Sequence, residues 1–261
     1  MIRICLANDD GPEGRGLEVL ADNLSELGEV IVVVPDQQRS GSGKSMTLNH
    51  PLRITETKTN SGLTMLKHSG KPADSVVIAT SFFDDIDIFV AGINAGANLG
   101  YQSMMTSGTV GIAMEAAILG YPSVAVSMAV NPNEWFDNHA TNRDYAEMSK
   151  IATCIIKGVI DNGLPEGIDA LNINFPLSLN DNPEIIAAKP VRLRMSNSLE
   201  QRTDPNQSTY YWIDGKFQDI PERTDAYIVL VESNISVSPI VIETVKDEEV
   251  ERVKGFLDLL T

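Results

Sequence analysis

The 261-residue chain is poor in sulfur, imidazole and positive charge, and each shortage removes a class of chemistry. Two cysteines occur, Cys5 in an apolar run and Cys154 in a segment of helical character, and neither has the spacing of a zinc site or a redox pair. Both are expected to be buried, reduced thiols. Three histidines, His50, His68 and His139, are scattered, and no Gly-x-Ser-x-Gly turn supplies a serine for them to activate. Twenty Lys and Arg against 36 Asp and Glu leave a formal charge of -16, which repels duplex nucleic acid and anionic membranes. No apolar run approaches the roughly 20 residues needed to cross a bilayer, and the opening MIRICLAND lacks the length and cleavage signal of a secretory peptide. A cytoplasmic location is the expectation. The two tryptophans, Trp135 and Trp212, read as core or interface residues rather than base-stacking platforms.

What remains is the composition of an ordinary globular chain, 43% hydrophobic and 21% charged, long enough for one large α/β domain. Ile2–Ala7 is an apolar run ending in Asn8-Asp9-Asp10-Gly11; Gly16–Leu27 carries leucines at helical spacing; Val30–Val34 is a Val/Ile strand closed by Pro35. That is a βαβ unit with strands buried on both faces. Pro72–Phe83, Gly108–Leu119 and Tyr145–Ile160 read as helices, and Ile86–Ala91, Ser123–Met128 and Ala170–Phe175 as strands. The expected fold class is α/β: a Rossmann-like, three-layer, doubly wound, mostly parallel sheet occupying residues 1–180. From 181 to 261 the pattern predicts an antiparallel β extension and a terminal helix, used in oligomerisation and belonging to the same structural domain. Here Ile185–Arg194, Tyr210–Ile213 and Ala226–Val231 have strand composition, Asp214-Gly215 is a hairpin signal, Asn197–Gln207 is polar and loop-like, and Asp247–Leu260 is an amphipathic helix.

Ligands of open parallel sheets bind beyond the carboxyl ends of the strands, near the point where strand order reverses. Three polar clusters fall at such ends: Asn8–Gly11, Arg39-Ser40-Gly41, and Gly92–Asn98. Singly, each reads as a turn or a helix cap. Together they offer Asp9, Asp10, Ser40 and Asn94, an all-oxygen donor set suited to Mg²⁺ or Mn²⁺ and not to zinc. Thr106-Ser107-Gly108-Thr109-Val110 then opens a helix whose N-terminus suits both capping and an anion. The stretch Gly41-Ser42-Gly43-Lys44-Ser45 imitates a phosphate-binding P-loop, but Gln38 stands where that loop needs glycine.

These clusters, with Val34-Pro35-Asp36, Glu115 and Asn172-Ile173-Asn174-Phe175-Pro176, resemble the SurE family of survival-protein nucleotidases in order and spacing. Tyr211-Trp212-Ile213, Thr224-Asp225 and Ser236–Pro239 extend the resemblance, more loosely, beyond residue 180. It implies a phosphomonoesterase acting on nucleoside 5′- and 3′-monophosphates, with one Mg²⁺ or Mn²⁺ per subunit, and a homodimer or homotetramer that exchanges C-terminal elements. Carried onto this chain, the metal ligands are Asp9, Asp10, Ser40 and Asn94. Phosphate is met by Ser40, Asn98, Ser107, Gly108 and Thr109, and the catalytic set is Asp9, Asn98 and Ser107. Asp9, in preference to Asp10, would orient or deprotonate the attacking water, with direct carboxylate attack as the other route. Lys44, and Lys71 within Gly70–Asp74, depart from the family's usual residues and are candidates for altered substrate preference. The rival expectation is a nucleotide- or metal-binding module without turnover.

Overall fold

The computed structural model describes residues 1–131, 145–192, 195–217 and 219–260; Trp135 and His139 lie outside them. The chain opens with β1 (Arg3–Ala7), α1 (Arg15–Leu24) and β2 (Glu29–Pro35), the expected βαβ unit. A hairpin, β3 (Ile54–Lys58) and β4 (Thr64–His68), precedes α2 (Asp74–Phe82) and β5 (Ile88–Ala95). Two helices in tandem, α3 (Gly100–Thr106) and α4 (Gly108–Ile118), lead to β6 (Ser123–Met128). Then come α5 (Tyr145–Asn162), β7 (Ala170–Phe175), β8 (Ile185–Ala187), β9 (Met195–Thr203) and β10 (Thr209–Phe217). The chain closes with α6 (Asp225–Leu230), β11 (Ile235–Ile240) and α7 (Asp247–Asp258).

Among the described residues, nine strands form one sheet in the order β3-β4-β2-β1-β5-β6-β7-β11-β8. From β4 to β7 neighbours are parallel, while β3 and β11 run antiparallel to their inner neighbours β4 and β7. Strand pleating explains the apolar runs. Ile4 and Leu6 join a core with Leu17, Leu20 and Leu24 of α1 and Ala152 and Ile156 of α5. Cys5 and Ala7, pointing the other way, join Val76 and Ala79 of α2 and Ile112 and Ala116 of α4. At roughly 2 kcal/mol per buried aliphatic side chain, both faces of each central strand must be apolar, so alternation disappears.

The C-terminal third departs from its composition in four places. Ala226–Val231 looks like a strand but is helical as α6: Thr224 caps it, its hydroxyl accepting the Tyr227 N–H at 3.4 Å, and Ala226, Ile228 and Val229 are buried. Capping and tertiary burial override β-branched propensity there. Asn197–Gln207 is mostly strand, because a ribbon solvated on both sides needs no apolar alternation. Its turn is at Asp204–Ser208, where the Asp204 carboxylate accepts the N–H groups of Asn206 and Ser208 at 2.8 and 2.9 Å. Asp214-Gly215 instead lies within β10, and β8 ends at Ala187 rather than continuing to Arg194.

Two further expectations change. Cys5 is buried, and burial pushes its thiol well above the usual range, but Cys154 is exposed on α5. Trp212, read as core or interface, is not core: it is 56% exposed on the ribbon. No described helix is long and apolar enough to cross a membrane.

Candidate functional site

Strand order reverses beside β1, since β2 lies on one side and β5 on the other. At that point the turn after β1 is folded by Asn8, whose Nδ2 donates to the Gly11 carbonyl at 2.8 Å while its Oδ1 accepts the Gly11 N–H at 3.1 Å. Asp9 and Asp10 are thereby held at the strand end, 3% and 6% exposed. Burial pushes the Asp9 carboxyl above the usual range; the Thr109 hydroxyl and the Gly108 and Thr109 N–H groups oppose that shift by favouring the charged form. The Thr109 hydroxyl donates to Asp9 Oδ1 at 2.5 Å. Gly108 is required by this approach: a Cβ there would stand 2.7 Å from Asp9 Cβ and 2.8 Å from Pro72 Cγ.

Asp9, Ser40, Asn94, Asn98 and Ser107 line one cavity of about 230 Å³, together with Ser103 and Thr106. Ser40 arrives because the Arg39 N–H donates to the Asp9 carbonyl at 2.7 Å. Asn94 lies inside β5, which runs four residues beyond the expected Ala91 after a register shift against β6. Its Nδ2 donates to the Gly96 carbonyl at 2.6 Å, which turns the amide away from rotation. Asn98 is fixed from behind by a buried polar group: its N–H donates to Asn174 Oδ1 at 2.8 Å, its Nδ2 to Ser127 Oγ at 2.8 Å, and its carbonyl accepts Asn172 Nδ2 at 2.9 Å. Ser107 caps α4, accepting the Val110 N–H at 3.1 Å.

Three of the expected site residues stand behind the wall. Asp10 accepts Gln38 Nε2 at 3.2 Å and, at 3.4 Å, the N–H of Ala95, which is itself on the wall. Thr109 is fully buried with its hydroxyl on Asp9, and Gly108 packs beneath that carboxylate. Lys44 pairs with Glu115, and Lys71 lies in a separate depression with Arg39 and His50. No P-loop forms, since Gly43-Lys44 leads into irregular chain and not into a helix.

The sequence had not singled out Ser103 or Ser127, and it had named Thr106 only in the turn that opens a helix and Asp225 only within a motif block. Asp225 is fully buried, its Oδ2 accepting the Gly100 N–H at 2.7 Å and its Oδ1 the Val191 N–H at 2.9 Å. The available signal was polarity inside apolar context: Ser127 within Ser123–Met128, and Asp225 ahead of Ala226–Val231.

Among the described residues no cluster of three or more His, Cys, Asp or Glu could hold a metal by itself. Asp9, Ser40 and Asn94 on the wall, with Asp10 set behind it, nevertheless supply oxygens of the kind that suit a hard cation, which takes oxygen ligands and keeps positions for water and phosphate. None of the cavity's described wall residues is basic, so a buried carboxylate and any phosphate would both favour an added cation.

Fold and site together define a doubly wound α/β protein with a carboxylate-bearing polar cavity at its switch point. The family described as survival protein SurE matches residues 4–200, and the chain belongs to that family. Proteins called 5′-nucleotidase SurE from Thermococcus gammatolerans and Archaeoglobus fulgidus are each 38% identical to it; the first match covers 98% of this chain and 96% of the relative, the second 98% of both. The crystal structure of the SurE protein from Aquifex aeolicus superposes with a TM-score of 0.80 at 30% identity, covering 97% of this chain and 99% of that one.

Proposed function

We propose that the cavity is the active site of a nucleotidase that hydrolyses nucleoside 5′- and 3′-monophosphates to nucleoside and phosphate. The carrying observation is the wall itself: seven oxygen- or amide-bearing side chains converge on one space, five of them from three strand ends and a helix cap, and Asp9 is the carboxylate among them. The names of the relatives support the 5′ activity; the 3′ activity rests on the motif resemblance. One Mg²⁺ or Mn²⁺, held by Asp9, Asp10, Ser40 and Asn94, would neutralise phosphate charge and lower the pKa of bound water.

The chain's own groups do the rest. Asp9, oriented by the Thr109 hydroxyl, accepts a proton from the attacking water. The water oxygen bonds to phosphorus as the bond from phosphorus to the nucleoside oxygen breaks, and that oxygen takes a proton from solvent while Asp9 later returns its own to solvent. Asn98, immobilised by Ser127, Asn172 and Asn174, and Ser107 at the α4 N-terminus stabilise the charge developing on the phosphoryl oxygens. Ser40 completes the cradle, while the Gly108 and Thr109 N–H groups act on phosphate only through the Asp9 carboxylate they hold.

An exposed ribbon bearing Tyr210, Tyr211, Trp212 and Ile213, and α7 with Val250, Val253, Phe256 and Leu257 exposed, support a homodimer or homotetramer exchanging these elements. The deciding assay is phosphate release from 5′-AMP, 5′-GMP and 3′-AMP with Mg²⁺ or Mn²⁺, with and without chelator. Release that chelator abolishes is expected. Nucleotide binding with no release under any metal would overturn the reading in favour of a non-catalytic module.

A further inference from the structure

Ser40 is exposed and followed by two glycines in the left-handed region, Gly41 at φ 72° and Gly43 at φ 56°. Such a span has little intrinsic rigidity. Yet it is fastened at both ends to the rest of the site. Upstream, the Arg39 N–H reaches the Asp9 carbonyl; downstream, the Gly43 N–H reaches the Thr106 carbonyl at 2.8 Å. Gly43 lies directly on the junction between α3 and α4: a Cβ on it would stand 2.8 Å from the Met105 carbonyl oxygen, and one on Gly111 2.7 Å from the Gly43 oxygen. Backbone meets backbone there without a side chain between.

The next residue is Lys44. Its ammonium pairs with Glu115, one helical turn beyond Gly111, and the Glu115 side chain is 7% exposed against 31% for Lys44. The pair therefore sits at the rim, with the acid inside and the base folded over it. A carboxylate this buried is costly without a partner, so the pairing does more than an exposed one. The loop's other cation is engaged elsewhere: Arg39 bonds Asp36 and the Ser69 carbonyl.

We infer that Lys44 and Glu115 form a latch that clamps the Ser40 loop onto α4, making both of them positioning residues for the cation site. The second half rests on the reading of Ser40 as a metal ligand given above; the latch itself does not. On this view Lys44, although it departs from the family pattern, acts on metal affinity and not on the choice of base.

The test compares wild type, Lys44→Met, Glu115→Gln, the double variant and Lys44→Arg as full chains, by hydrogen exchange without metal and by calorimetric titration with Mn²⁺. The double variant leaves neither charge buried and so keeps the fold if a single variant does not. Amides of residues 40–45 should exchange about tenfold faster in Lys44→Met, Glu115→Gln and the double variant, with β1 and β7 unchanged and Lys44→Arg close to wild type. Mn²⁺ affinity should fall by about tenfold in the same three variants, in the range one coupled residue contributes. Unaltered loop exchange in the double variant overturns the latch. Faster exchange with unaltered Mn²⁺ affinity keeps the latch and overturns the assignment of Ser40 to the cation.

Discussion

The cavity at the ends of β1 and β5 and the ribbon of β9 and β10 use polar residues in opposite ways. At the cavity, the buried Asn98 is bonded to partners distant in sequence, as when its N–H meets Asn174, 76 residues on. In the ribbon, polar groups bond to neighbours two or four residues away, as around Asp204, and the apolar side chains face solvent. A buried polar network must find its partners mostly within the chain, and Asn172 Oδ1, behind Asn98, is a buried oxygen that finds none among the described residues. A two-stranded ribbon gains little stability alone, so the hydrophobic side chains it displays call for a second surface.

The sharpest way to break the comparison is at Asp9. Asp9→Asn should lower phosphate release by about 10³-fold, the scale of losing one well-placed electrostatic group. Thermal unfolding should be no less cooperative, because the substitution removes a buried charge and keeps the shape. Activity retained within about tenfold would mean that the cavity's carboxylate is only structural.

A second effect comes from His68, fully buried at the end of β4. Its Nδ1 accepts the Gly70 N–H at 3.2 Å, so its Nε2 carries the proton and donates it to Ser75 Oγ at 2.8 Å. Burial lowers its pKa to about 4, against the opposing pull of Asp74 and Asp36. Below pH 6.5 the unfolded chain takes up a proton that the folded chain refuses until about pH 4. Stability is therefore lost as pH falls through that window, by up to roughly 3 kcal/mol. Asp9, raised, works in the opposite sense above 3.8, so the His68 contribution is the difference between wild type and His68→Gln in urea unfolding at pH 7 and pH 4.5. Equal slopes in the two proteins would remove His68 from the account. The ribbon offers no counterpart, since its Arg202–Glu200 pair is exposed.

Smaller again is Asp225→Asn. An amide can accept from Gly100 or Val191 but sets an NH₂ group against the other N–H, costing about 2 kcal/mol. Because Gly100 is two residues from Asn98, kcat should also fall by about tenfold while KM changes less. A loss of stability with kcat unaltered would separate Asp225 from the cavity.

How much of this was legible follows from the same contrast. Strands buried on both faces announce themselves as apolar runs, and their ends, Asp9 after β1 and Asn94 in β5, were visible as abrupt polar clusters. The hairpin of β3 and β4 was not: Ile-Thr-Glu-Thr-Lys is largely exposed and carries no two-sided burial. α3 escaped notice because it is seven residues long and begins at a glycine. Asp225 could be read only as part of a motif block ahead of a strand-like run, because its partners are backbone groups that the fold alone brings to it. Asn98 was assigned from its loop, but what makes it rigid, Ser127 and Asn172, lies on other strands.

The smallest expected effect tests the C-terminal side of the comparison. None of α7 is buried in the single chain, so truncation after Lys246 should change the unfolding free energy of an isolated subunit by under about 0.5 kcal/mol. A 12-residue helix of this kind is marginal in water, although half of a capping box helps, with the Lys246 N–H donating to Glu249 Oε2 at 3.0 Å. It stays ordered only if its stripe of Val250, Val253, Phe256 and Leu257 is covered. Light scattering should accordingly show a lower mass for the truncated chain, and the helical signal lost on truncation should be concentration-dependent in the full chain. An unchanged mass would assign assembly to the ribbon alone, with Trp212→Ala then the variant that dissociates it.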